Sequence, residues 1–342
     1  DDSDKSDIRD HLKIISEKHN IDYLYRSQRV GYKAGAINNA VKKLGKNSKY
    51  IFILDIEHTP HENILKPLVN ILESNDRLSF VQLPQYYPEE GSSIFGGAYA
   101  VHQHIFNKHI CRALSTTNSC FMCGTNVLIR KACLDDIGGF KEDTSTEDIA
   151  TSFVMHGLGY SSLYHDEILS KGSAPVSLHA YFIQQKRWCE GTIKQFKLSL
   201  KGIIFGFSNL SPYQWFNYLF VNGTFYLLGW TTLILILYPF MVFYFDISPF
   251  GFDTINLSFV FFLTMLGLIA VYSVLERNFS IKSLIFSQSL WLVTIPVYMK
   301  GVLSGFFSKN ITFNVTPKQY VKRTEWSSLT FHITLFAITF FG

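Results

Sequence analysis

Residues 50–60, Tyr50-Ile-Phe-Ile-Leu-Asp-Ile-Glu-His-Thr-Pro60, decide the fold class. An apolar run of strand-forming residues stops abruptly on acids and a proline, the pattern of a buried strand whose carboxyl end opens into a polar loop. Working outward, Lys33–Lys43 (KAGAINNAVKK) reads as a helix before it and Glu62–Leu72 as a helix after it. Ile21–Tyr25 (IDYLY) and Leu78–Leu83 (LSFVQL) read as the flanking strands. Strand and helix alternate, which predicts an α/β domain with a mostly parallel sheet. Ligands of such sheets gather at the carboxyl ends of the strands. Asp55 and Glu57 stand there; two carboxylates two residues apart at a strand end point to one side, as a divalent cation on a diphosphate requires. Alone, a D-x-E reads more often as surface acids of a turn, and its place at a strand terminus before Pro60 favours the metal.

Composition divides the 342-residue chain in two. The first 201 residues hold 24 of the 31 Lys and Arg and 23 of the 27 Asp and Glu, so a polar, charge-balanced part precedes a charge-poor one. This excludes a disordered chain, a small disulfide scaffold and a purely soluble protein. A net charge of +4, spread evenly, gives no reason to expect nucleic acid. The five cysteines are odd in number and lack framework spacing, so they read as reduced thiols; Cys120-Phe-Met-Cys123 has no second pair to complete a zinc site. The chain opens on Asp1-Asp-Ser-Asp4 without an initiator Met and stops inside an apolar run, as a fragment of a longer protein would.

In the charge-poor part, residues 202–245 carry no charge, and about 218–245 suffices for one membrane span. Residues 254–275 make a second. The loop between them has two acids and no Lys or Arg, which places it outside. The third apolar stretch, 283–299, is broken by Pro296, Lys300 and Gly301; read as a span it would put the basic segment 300–323 outside. It is therefore expected to be an interfacial helix, about 282–307, followed by a third span that begins near Trp326. The expected division is residues 1–200 in the cytoplasm and 201–342 in the membrane.

Two further motifs lie in the polar part. Thr146-Glu147-Asp148 precedes an apolar helix over 149–156, with Ser145 or Thr146 as its cap. Acids there more often simply complement the helix dipole; a fixed carboxylate could also take a proton from a sugar hydroxyl. Gln184, Arg187 and Trp188 share one helical face: Arg suits phosphate oxygens and Trp a pyranose ring, while a membrane-surface helix would use the same residues.

Taken in order, these residues resemble the processive, membrane-integrated family 2 glycosyltransferases: cellulose synthase and its chitin, hyaluronan and mannan relatives. The matching segments are Asp1–Asp4, Lys33-Ala-Gly-Ala-Ile-Asn38, Asp55-Ile-Glu57, Val81-Gln-Leu-Pro-Gln85, Phe121-Met-Cys-Gly-Thr-Asn126, Thr146-Glu-Asp148, Gln184–Trp188 and Phe313-Asn-Val-Thr-Pro-Lys318. The resemblance implies a GT-A (Rossmann-like) domain with a mixed or parallel sheet, fused to an α-helical transmembrane region of the plasma membrane. It implies Asp148 as catalytic base, with Glu147 beside it, and Asp55 and Glu57 as ligands of Mg²⁺ or Mn²⁺. Asp1 or Asp2 and Lys33 would contact the nucleotide, Gln184, Arg187 and Trp188 the diphosphate and acceptor sugar, and Thr316 and Lys318, in a gating loop over 308–320, would close over the donor. The implied partners are a nucleoside diphosphate sugar, UDP-glucose first, a growing polysaccharide and the lipid bilayer; accessory subunits are left open. Two departures stand out. Glu57 replaces a second Asp, and the first strand of the family domain is missing, so these 342 residues alone are expected to be inactive.

Overall fold

The computed structural model describes residues 1–3, 5–88, 94–205, 209–245, 254–275, 279–308 and 329–334. In chain order the elements are α1 (Ser6–His19), α2 (Tyr32–Leu44), β1 (Tyr50–Ile53), β2 (His58–Pro60), α3 (Leu65–Glu73), β3 (Leu78–Gln82) and α4 (Ile94–His104). A π-helical stretch, Ile105–Cys111, continues α4 into α5 (Arg112–Thr116). Then come β4 (Val127–Arg130), α6 (Lys131–Asp136), α7 (Glu147–Gly157), β5 (Ser161–Tyr164), β6 (Ser170–Gly172) and α8 (Leu178–Phe205). The last group is α9 (Pro212–Phe216), a second π-helical stretch (Asn217–Thr224), α10 (Phe225–Phe245), α11 (Thr254–Leu275) and α12 (Ile281–Phe307).

The main sheet has the order β1-β4-β3-β5. It is mixed: β4 runs antiparallel to both its neighbours, while β3 and β5 are parallel. The expectation of a mostly parallel sheet is thus corrected in one respect. β4 inserts in reverse between β1 and β3, and because it opposes both, those strands still point the same way and their carboxyl ends share one edge. Alternation along the strands builds a core on each face. Phe80 and Ile129 pack with Ile53, Met122 and Met155 on one side, and Val81 and Leu128 with Leu68 and Leu72 of α3 on the other.

Ile21–Tyr25 is not a strand. Its Ile21 and Tyr25 are exposed, and the segment is held by residue 1, whose backbone nitrogen donates to the Leu24 carbonyl (2.7 Å) and whose carbonyl accepts the Arg26 N–H (3.0 Å). With no apolar face buried, strand propensity alone does not build a ladder.

α10 and α11, 21 and 22 residues long, coincide in position with the two expected spans. The helix expected over about 282–307 is present as α12, which runs unbroken for 27 residues through Pro296, Lys300 and Gly301 and is long and apolar enough, by length and composition, to cross a membrane. Tertiary packing explains its continuity. A Cβ on Gly301 would stand 2.7 Å from Cys189 Sγ and one on Gly305 2.8 Å from Ile193 Cβ, so the two glycines form the seam along which α12 lies against α8. The Tyr298 hydroxyl donates to Gln185 Oε1 (3.0 Å) inside that seam. A proline removes one helical hydrogen bond, and close packing of this kind outweighs that cost.

Candidate active site

The site lies at the carboxyl end of β1, where the loop 121–126, α2, α7 and α8 converge. Lys33, in the first turn of α2, donates through Nζ to Asp55 Oδ1 (2.5 Å) and to the Gly124 carbonyl (2.8 Å). Asp55 follows β1 in a turn, and its N–H donates to Thr125 Oγ1 (2.8 Å). Residues 55–57 do not continue the strand, so the same-side argument from strand alternation does not apply to Asp55 and Glu57; what relates the two carboxylates is that both act on Arg187.

Gly124 is a position where conformation and space both demand glycine. Its φ is +81°, and a Cβ would lie 3.2 Å from Asp148 Oδ2 and 3.6 Å from Lys33 Nζ. The acid of α7 and the amine of α2 therefore both approach the space that a side chain at Gly124 would fill.

Asp148 sits in the first turn of α7, as expected, but the cap is different. Neither Ser145 nor Thr146 supplies a side-chain cap: Thr146 holds the cap position without such a bond, and Asp148 Oδ1 instead accepts the Ile149 N–H (2.9 Å). Ser152 Oγ donates to the Asp148 carbonyl (2.7 Å) and accepts the Met122 N–H (2.9 Å), which ties this turn to the loop 121–126. The 144–146 segment lies directly on α8, where a Cβ at Gly191 would meet the Thr146 side chain at 2.4 Å.

Burial and then the neighbouring Glu147 charge push the Asp148 carboxyl up to about 7, against the pull of the Ile149 N–H and Lys33. Burial likewise raises Glu147, with Lys33 and Arg187 opposing. Burial lowers Arg187 although Glu147, Asp148, Asp55 and Glu57 all favour its charge. For Lys33, burial works against the ammonium, but Asp55, Glu147 and Asp148 outweigh it and its pKa is raised. Four carboxyl groups thus face two cationic side chains. A carboxyl held near neutrality has the proton affinity that general-base chemistry uses, and four carboxyl groups against two cations is a donor set that a divalent cation could enter.

On α8, Tyr181, Phe182, Gln185, Cys189 and Ile193 are buried, whereas Gln184, Arg187 and Trp188 stay half-buried on the other side. Tyr99 Oη donates to Gln184 Oε1 (3.4 Å). The expected shared face of Gln184, Arg187 and Trp188 is present.

Asp1 and Asp2 stand in a separate ionic knot. Tyr23 donates to Asp1 (2.6 Å), and Asp2 takes a two-pronged bond from Arg26 (2.9 and 2.6 Å), which holds its carboxyl below the usual range despite burial. Arg26 also donates to the Tyr32 carbonyl (2.8 Å), so the knot abuts the start of α2 just before Lys33. Thr316, Lys318, the 308–320 loop but for Ser308, and the start of the last span near Trp326 lie outside the described residues.

Several residues assigned no role from the sequence build this site. Gln82, fully buried in β3, donates to the carbonyls of Leu83 and Thr125 (2.8 Å each) and accepts the Cys123 N–H (2.8 Å). Gln85 donates to the Cys123 carbonyl (2.7 Å) and accepts from Tyr87 (3.0 Å). Together they hold the loop that presents Gly124 and Thr125. The signal was available: a glutamine inside an apolar strand must find partners when buried. The five cysteines are free, and among the described residues no three His, Cys, Asp or Glu side chains cluster as a metal site by themselves.

A family model described as glycosyl transferase family group 2 matches residues 50–275. The chain is 34% identical over 184 residues to a UDP-forming cellulose synthase catalytic subunit of Dictyostelium discoideum, a match covering 51% of this chain and 17% of that protein. It is 28% identical over 209 residues to "Probable glucomannan 4-beta-mannosyltransferase 11" of Oryza sativa subsp. japonica, covering 59% and 36%. The matched region therefore spans little more than a third of such relatives at most. A solved mannosyltransferase from Pyrobaculum calidifontis, in complex with GDP-Man and Mn²⁺, superposes with a TM-score of 0.59 over 91% of this chain and 77% of its own, at 13% identity. That likeness is one of fold.

Proposed function

Since the chain belongs to the glycosyl transferase family group 2, we propose that it transfers glucose from UDP-glucose, with inversion, onto a growing β-linked polysaccharide that leaves through the membrane. The observation that carries this reading is the Asp148 carboxyl, poised at about 7 beside the Lys33–Asp55 pair and Arg187. Asp148 removes the proton of the acceptor hydroxyl as that oxygen attacks the anomeric carbon; the bond to the nucleoside diphosphate breaks on the opposite face, and the proton ends on Asp148. Arg187 and Lys33 face the departing diphosphate, where cationic donors stabilise developing charge. Trp188 stacks on the terminal acceptor sugar, Gln184 orients beside it, and Asp1 or Asp2 holds the nucleotide.

The donor set suits Mg²⁺ or Mn²⁺. Such ions take one or two carboxylates and complete their shell with substrate phosphates and water; Asp55, whose Oδ1 is engaged by Lys33, still offers Oδ2, and Glu57 supplies the second carboxylate. When bound, the ion neutralises charge on the leaving diphosphate. Residues 1–200 form the cytoplasmic transferase domain and 201–342 the transmembrane region in the plasma membrane, with α12 at the interface and Thr316 and Lys318 closing over the donor.

A mannan-type product from GDP-mannose is the second reading, favoured by the match to the rice protein. Full-length protein in membranes, supplied with radiolabelled UDP-glucose, GDP-mannose or UDP-N-acetylglucosamine, separates the readings once the product is digested with linkage-specific glycosidases. Incorporation from UDP-glucose into a β-glucan is expected. Binding of all donors without turnover would instead mark a non-catalytic sugar-nucleotide domain.

A further inference from the structure

The last turn of α7 holds a buried histidine that the transfer chemistry leaves unused. His156 is 1% exposed; its Nδ1 lies 2.8 Å from Tyr218 Oη and its Nε2 2.9 Å from Ser162 Oγ. A third bond settles the proton positions. Ser162 Oγ lies 2.7 Å from the Cys120 carbonyl, which can only accept, so the serine proton points there. Ser162 Oγ then accepts from His156 Nε2–H, and the bare Nδ1 accepts from the Tyr218 hydroxyl. Burial pushes the imidazole down to about 3, so the ring is neutral and this tautomer is the one present.

The bonds of this junction reach three other elements: β5 through Ser162, the segment leading into the 121–126 loop through Cys120, and the π-helical stretch before α10 through Tyr218. Rings reinforce the last link. Phe153 meets Tyr218 edge-on at 5.1 Å and Trp215 at 5.8 Å, and Ile149 packs in the same cluster. Positions 149, 153 and 156 are one face of α7. At the other end of this 11-residue helix, Ser152 fixes the turn of Asp148 to Met122. The helix is therefore tied near its first turn to Met122 of the loop that presents Gly124, and at its last turn, through Ser162, to Cys120 just before that loop.

We infer that His156 is a positioning residue for sugar transfer: its imidazole pins the far end of the Asp148 helix to Tyr218, at the foot of the first long apolar helix, and through Ser162 to Cys120, where the chain enters the loop that carries Gly124 and Thr125. A base displaced by a fraction of its working distance loses rate without losing donor affinity. The inference rests on Asp148 as base.

The test uses full-length protein in membranes and the donor that labels polymer in the panel above, with kcat, KM and melting temperature measured for Tyr218→Phe, His156→Phe, their double variant and His156→Gln. Tyr218→Phe and His156→Phe are each expected to lower kcat about tenfold, with KM within twofold. The double variant should be no worse than the poorer single, because both remove one shared bond. His156→Gln, which keeps a donor and an acceptor, should recover most of the loss. Unchanged kcat in the single variants, or kcat, KM and melting temperature falling together with multiplying effects in the double, would overturn the inference. Should His156→Phe fail to accumulate, Tyr218→Phe, which deletes one oxygen, and His156→Gln decide alone. Asp148→Asn assayed alongside separates the premise: an active variant sinks the base assignment, whereas an inactive one with intact His156 and Tyr218 variants sinks this inference only.

Discussion

Replacing Asp148 by Asn should stop the chemistry and stabilise the protein at once. The substitution conserves volume and removes a charge that burial and Glu147 resist, a resistance that lifts the carboxyl from 3.8 to about 7. A shift of roughly three units at 1.36 kcal/mol each makes the ionised aspartate cost on the order of 4 kcal/mol of folding stability. The sign follows from the raised folded value: the wild type keeps that stability below 3.8, loses it progressively as pH rises, and has lost it all above about 7. Melting curves of wild type and Asp148→Asn in detergent should therefore converge near pH 4, diverge up to pH 7 and run parallel beyond it, with the variant higher by on the order of 10 °C. Its kcat should fall about 10³-fold, since an amide cannot take the proton. In the wild type, activity should rise with pH through about 7 as the base ionises. Equal melting temperatures at pH 8, or a gap that stays constant down to pH 4, would refute the argument that burial poises this acid.

Other outcomes follow from the same geometry. Gly124→Ala places a methyl 3.2 Å from Asp148 Oδ2 on a backbone at φ +81°, and should cut kcat about 10²-fold or more while the strain lowers stability by about 1 kcal/mol, read as a modest drop in melting temperature. Chelation with EDTA should abolish incorporation and added Mn²⁺ or Mg²⁺ restore it; Glu57→Asp should stay active with an altered preference between the two ions, read from metal titrations. Gly301→Val should force α12 away from Cys189 on α8 and lower stability by about 2 kcal/mol or more, seen as a drop in melting temperature.

Much of this protein is legible in residue order alone because the informative signals are local. Strand β1 and the acids after it, the KAG helix, the acid-rich start of α7 and the shared face of Gln184, Arg187 and Trp188 depend on periodicity and on the polar residues that end an apolar run. The seam near Lys201, where charge disappears, is likewise a property of composition. What the tertiary structure decided is long-range. The reversal of β4, the pairing of Lys33 with Asp55 across 22 residues and with the Gly124 carbonyl across 91, and the continuity of α12 through Pro296 all depend on partners far away in sequence. The same holds for the Asp148 carboxyl, whose poise comes from burial that no neighbour in the chain announces, and for Ile21–Tyr25, which has strand composition but no face to bury. Local sequence sets which conformations are cheap; which of them persist, and what charge a buried side chain carries, is set by the contacts that remove it from water.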